Sequence, residues 1–186
     1  MLTEDYIMRL INQALAVLIQ ALGLKRAGKF NEALQAFDQA IESLLGINAH
    51  LVNQLEDGVV LDRLTFMGKL DVERVLVLAD IYREQSEVYS LLGQPENSQL
   101  AAQRSLRLYL EGSLANMSNQ DLELTNKIEM LRHKLTAHSL PVETRLALMD
   151  YLERLLNYSD EFLATNGFSR PDLLADFSSL EPHDFH

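Results

Sequence analysis

Apolar residues recur along this chain at three- and four-residue intervals, and no sustained apolar/polar alternation marks a strand. Tyr6, Ile7, Leu10, Ile11, Ala14, Val17, Leu18, Ala21 and Leu24 follow one helical face, which predicts a first helix from Thr3 to about Arg26. Thr3 supplies an N-cap; Glu4 and Asp5 suit the positive end of the helix dipole, Lys25 and Arg26 the negative end. Gly28 offers a left-handed C-cap. Ala33, Leu34, Phe37, Ala40, Ile41, Leu44 and Leu45 then line a second helix that closes at Gly46.

The irregular apolar stretch 47–70 predicts one or two short helices, with a turn at Asp57-Gly58. Asp71 caps the next long helix, whose face is Val75, Leu78, Ala79, Tyr82, Tyr89 and Leu92. Gly93-Gln94-Pro95 ends it and opens another, carrying Leu100, Ala101, Leu106, Tyr109 and Leu110. Ser118 to Asp121 has the form of a capping box, with Asp in place of Glu, ahead of a helix through Leu124, Ile128, Leu131 and Leu135. Pro141 fits the first turn of a helix bearing Leu146, Met149, Leu152 and Leu156. Ser159 caps a short helix ending near Asn166-Gly167. The fold class is therefore all-α: helical hairpins with additional connecting helices, about seven to nine in all.

Gly28, Gly93 and Asn157 occupy similar helix–turn–helix positions, 65 and 64 residues apart. Each separation is about twice the 34-residue tetratricopeptide period. Residues 17–45 resemble a tetratricopeptide repeat, with Ala21, Leu24, Gly28, Phe30, Ala33, Phe37 and Ala40 at the matching positions. The three alanines permit close helix packing, and Phe37 fills the space between hairpins. Val17 stands where that family often has Trp, and Leu45 where it often has Pro. The second and third hairpins match poorly: Ala101 and Ala102 take the small-residue role only across a longer turn, and Glu161 occupies the small position in the third. The whole chain also resembles a family of uncharacterised bacterial proteins with tetratricopeptide-like helices. Asp5-Tyr6-Ile7-Met8-Arg9, Gly28 to Ala40, and Lys127-Ile128-Glu129 ahead of Leu140-Pro141 carry that likeness. It implies a bacterial cytosolic origin and no particular reaction.

Composition narrows the functional classes. The chain has 186 residues, 47% of them hydrophobic, enough for one sizeable core. Residues 1–167 are expected to form a single helical repeat-like domain, and 168–186 an acidic, partly mobile tail. Within the tail Pro171 and Pro182 bracket acidic and bulky apolar residues, a pattern suited to docking into a helical groove. A net charge of -11 speaks against a nucleic-acid partner, which requires a basic stripe. From Glu143 to His186 nine acids face three bases; a solvated surface is the plain reading, and basic partners the sharper one. Cysteine is absent, which excludes disulfides and thiolate metal sites. No apolar run approaches the roughly 18 residues of a membrane span, and Thr3, Glu4, Asp5 and Arg9 interrupt any leader; the expected location is the cytoplasm.

No phosphate-binding loop, H-E-x-x-H or nucleophile elbow occurs, so neither an enzyme nor a catalytic residue, cofactor or metal is expected. His133 and His138, five apart, fall on different helical faces, and His183, Asp184 and His186 sit on the tail. The carboxylate pairs Asp150/Glu153 and Asp160/Glu161 read as solvated. Tyr82 and Tyr89 share a helix face and combine an apolar ring with a polar tip. With Arg83, Arg104 and Arg107 they are the candidate peptide-binding residues, the arginines either holding a peptide carboxylate or pairing with Glu84, Glu87 or Glu111. The expected function is a non-enzymatic scaffold or adaptor that binds a protein or peptide. A structural homo-oligomer, and a small-molecule sensor or enzyme with an inter-helix pocket, are the alternatives.

Overall fold

The structure, a computed structural model, describes residues 2–116, 122–136 and 139–180. The Thr3 side chain, the Ser118–Asp121 capping box, His138, Pro182 and the His183–His186 group lie outside the described residues. The fold is all-α, with ten helices among the described residues. They are α1 (Leu2–Arg26), α2 (Phe30–Leu45), α3 (Ala49–Gln54), α4 (Asp57–Arg63), α5 (Val72–Leu91), α6 (Pro95–Ala115), α7 (Leu122–Lys134), α8 (Val142–Leu156), α9 (Asp160–Thr165) and α10 (Arg170–Leu180). A small antiparallel ribbon, β1 (Thr65–Phe66) with β2 (Lys69–Leu70), separates α4 from α5.

Two hairpins, α1–α2 and α5–α6, form the centre. Gly28 has φ 75°; Lys29 N–H donates to the Leu24 carbonyl at 3.0 Å and Gly28 N–H to Lys25 at 3.0 Å. This Schellman arrangement satisfies the last carbonyls of α1 and reverses the chain. It recurs at Gly93 (φ 69°), where Gln94 donates to Tyr89 at 2.9 Å and Gly93 to Ser90 at 3.1 Å.

The two hairpins share a 65-residue register. Ala21, Ala33 and Ala40, all fully buried, correspond to Ser86, Ser98 and Ser105, of which the most exposed is 5% accessible. Thus the small residues of the second hairpin are serines, and Ala101 and Ala102 across a longer turn are not needed. A buried hydroxyl is costly unless bonded. Here Ser98 Oγ donates to the Ser86 carbonyl and Ser105 Oγ to the Ala79 carbonyl, each at 2.8 Å across the helix pair.

The third expected turn does not exist in that form. Asn157 keeps a right-handed φ of -78°, and the left-handed reversal falls at Gly167, φ 80°. Asp57-Gly58 likewise opens α4 rather than forming a turn; the break comes at Leu55 and Glu56. The ribbon turn has positive φ at both Met67 (48°) and Gly68 (76°), as the type I′ form of a two-residue hairpin requires. Strands of two residues are too short to leave a periodic trace.

Helix α2 packs on α5, α6 supports α7 and α8, and α10 lies along α8. Leu173 and Leu180 of α10 are buried, and Asp176 pairs with Arg132 of α7 at 2.5 Å. One sequence expectation is corrected at α1. Glu4–Arg26 has a mean hydropathy of 1.6 over an 18-residue window, which makes it long and apolar enough to cross a bilayer by length and composition. Asn12, Gln13 and Gln20 interrupt the apolar run without adding charge between Arg9 and Lys25.

Candidate binding groove

A cavity of about 550 Å³ lies between the α3–α4 junction, α5, α6 and the start of α8. Helix α5 presents Tyr82, Gln85 and Tyr89 to it, at the spacing of one helical face. From α6 come Leu100, Gln103, Arg104 and Arg107, and Asn53, Asp57 and Thr144 close the sides. Four of the five residues singled out from sequence, Tyr82, Tyr89, Arg104 and Arg107, therefore meet in one place.

Their roles divide. Arg104 is committed to the fold: Nε donates to Asp57 Oδ1 at 2.7 Å, Nη1 to the Val52 carbonyl at 3.1 Å, and Nη2 to the Leu55 carbonyl at 2.5 Å. Nη1 also donates to the Tyr82 hydroxyl at 3.3 Å, and the guanidinium lies 5.4 Å from the centre of that ring. The Tyr82 hydroxyl donates onward to Asn53 Oδ1 at 3.0 Å. Burial works against the charge on Arg104, but Tyr82 and Asp57 more than restore it, leaving its pKa raised. Burial raises the Tyr82 pKa despite Arg104. These two side chains thus fasten the α3–α4 junction to α5 and α6, with little left for a ligand.

Arg107 differs. Nη2 pairs with Glu111 Oε1 at 2.7 Å, while Nε and Nη1 are buried and have no hydrogen-bond partner among the described residues. Tyr89, half-buried on the same wall, has its pKa raised by burial and by Asp38. Gln85 donates to Asp38 Oδ1 at 2.9 Å. Burial raises the Asp38 pKa, opposed by that bond and assisted by Glu42. Gln103 donates to the Ser139 carbonyl at 2.7 Å and ties α6 to the approach to α8.

Residues 1–182 match a protein family described as a family of unknown function (DUF6483). The chain belongs to that family. No curated protein and no solved structure matches it. The matched span contains both hairpins and every groove residue named above.

Arg83 is not in the groove. Consecutive positions on a helix point about 100° apart, so Arg83 leaves the face shared by Tyr82 and Tyr89. Its Nη2 pairs with Glu84 at 2.7 Å; Lys25 of α1 joins Glu84 at 2.7 Å and also contacts Glu87. Tyr109 donates to Asp80, which also pairs with Lys127 of α7 at 2.9 Å. This network binds α1, α5, α6 and α7 to one another. His133 is exposed, its Nε2 3.9 Å from Glu129, and no group of three potential ligands gathers around a metal position among the described residues.

Asn53, Gln85 and Gln103 were missed from sequence because amides read as surface. Gln85 carried one usable signal: a polar residue on an otherwise apolar helix face, one turn from Tyr82. Thr144 had none, since α8 reaches the groove only through tertiary packing.

Proposed function

We propose that this chain is a non-enzymatic adaptor, built on tetratricopeptide-like hairpins, that takes an extended peptide segment in the groove between α5 and α6. A single observation carries the reading: an inter-helix groove lined by Tyr89 and the amides of Asn53 and Gln103 holds an arginine, Arg107, with two buried donors that the fold leaves unpaired. Amides donate and accept hydrogen bonds, as a peptide backbone requires. Arg107 suits a carboxylate on the bound segment. Glu56 and Glu143 at the lining favour a basic residue near it. Leu100, 65% exposed, offers an apolar contact at the edge. A bacterial, cytoplasmic setting accompanies this proposal.

Selection of random peptides displayed on phage against the full chain tests it. Enrichment of a motif that loses binding on Tyr89→Ala and on Arg107→Gln is expected. Failure of any motif to emerge, or motifs indifferent to both substitutions, would overturn the peptide reading. The cavity also lies within the roughly 300–1,000 Å³ typical of small-ligand sites. A metabolite that raises the melting temperature of the wild-type chain but not of the Arg107→Gln variant would favour a small-molecule sensor instead.

A further inference from the structure

Helix α1 carries a second apolar line that the fold leaves uncovered. Ile11, Ala14, Leu18 and Ala21 are buried. On the adjoining face lie Asp5, Met8, Asn12, Leu15, Ile19, Leu22 and Arg26, spaced by alternating steps of three and four. That is the spacing of a coiled-coil seam. Met8 is 43% exposed, Leu15 37% and Ile19 71%. The line is narrow, because exposed Arg9, Gln13 and Gln20 lie beside it.

The seam ends in opposite charges. Asp5 stands at its start and Arg26 at its end, both exposed, and neither makes an ion pair among the described residues. A parallel pairing would set like charges together. An antiparallel pairing sets the Asp5 end of each copy against the Arg26 end of the other, a complementarity that favours that arrangement.

We infer that α1 pairs antiparallel with α1 of a second copy of this chain, forming a two-fold dimer centred on Leu15 and Ile19. The helix is already formed and braced by α2, so association does not bear the cost of nucleating it. The seam is about 30 Å long at helical rise. A lipid surface fits less well. Helices that lie on membranes have broad apolar faces flanked by Lys and Arg. Here the face is narrow, Lys25 is held by Glu84 and Glu87, and the net charge of -11 opposes anionic lipid. The inference does not depend on the peptide groove.

Sedimentation equilibrium of the full chain tests it, with a mass of two 21.1-kDa chains expected. Ile19→Lys, at an exposed position, should loosen the dimer at least about a hundredfold, tenfold per copy, without loss of helical circular dichroism. Ile19→Leu should retain the dimer. Asp5→Arg alone should weaken association, and adding Arg26→Asp should restore it. A monomeric mass into the high micromolar range, or a dimer untouched by Ile19→Lys, would overturn the pairing. So would Ile19-dependent binding of a monomer to phosphatidylserine/phosphatidylcholine vesicles, which assigns the seam to lipid. A dimer indifferent to the charge exchange would overturn the antiparallel orientation.

Discussion

Replacing Arg104 with methionine should unfasten the α3–α4 junction. The guanidinium donates to Asp57, to the carbonyls of Val52 and Leu55, and to the Tyr82 hydroxyl. Methionine keeps much of the apolar stem and removes every donor. Hydrogen bonds to charged groups contribute roughly 1.5–3 kcal/mol each, but they share one side chain and do not add in full. Side-chain exposures of 15% for Arg104 and 25% for Asp57 let water replace part of the loss. A net cost of about 3 kcal/mol follows, below the roughly 3–5 kcal/mol range's upper end for breaking a fully buried pair. For a chain of this size that lowers the melting temperature by about 6–12 °C. Urea unfolding followed by circular dichroism measures the first number. Hydrogen exchange should show faster opening across residues 49–58 than elsewhere. Arg104→Lys should recover little, since an ammonium cannot fork to several acceptors at once. A stability change under about 0.5 kcal/mol in the methionine variant would refute the clamp.

Two further outcomes follow from the fold. Ala33→Leu and Ser98→Leu occupy equivalent positions of the two hairpins and should each cost about 1–3 kcal/mol by overpacking; a neutral result in denaturant unfolding at either site would break the shared register. Asp38→Asn keeps the acceptor for Gln85 and removes a charge that burial disfavours. Because the folded-state pKa of Asp38 is raised, its cost is absent below the ordinary value of 3.8 and grows as pH rises through the folded pKa. The asparagine variant should therefore melt higher than wild type at neutral pH and lose that advantage in acid, as thermal scans across pH would show.

The physical limits of the sequence reading are visible at particular residues. Gly28 and Gly93 were legible because a helix reversal demands a positive φ that glycine adopts freely. Ser86, Ser98 and Ser105 were not, although they stand 65 residues from three alanines that were. Serine is small but polar, and its fitness for a tight helix contact depends on a carbonyl of the facing helix. The groove was half legible: the common face of Tyr82 and Tyr89 is a matter of spacing, whereas the separate fates of Arg83, Arg104 and Arg107 depend on where the acids of other helices lie.

By itself, the sequence determined that this chain is helical, where its first hairpin turns and which small residues seat it, since these follow from local backbone preference and periodicity. Only the tertiary structure decided that Arg104 is consumed while Arg107 keeps two buried donors unpaired, that α8 completes the groove, and that one line of α1 stays bare. Those depend on contacts between residues dozens of positions apart, and a hydrogen-bonding group's availability is settled by its neighbours in space.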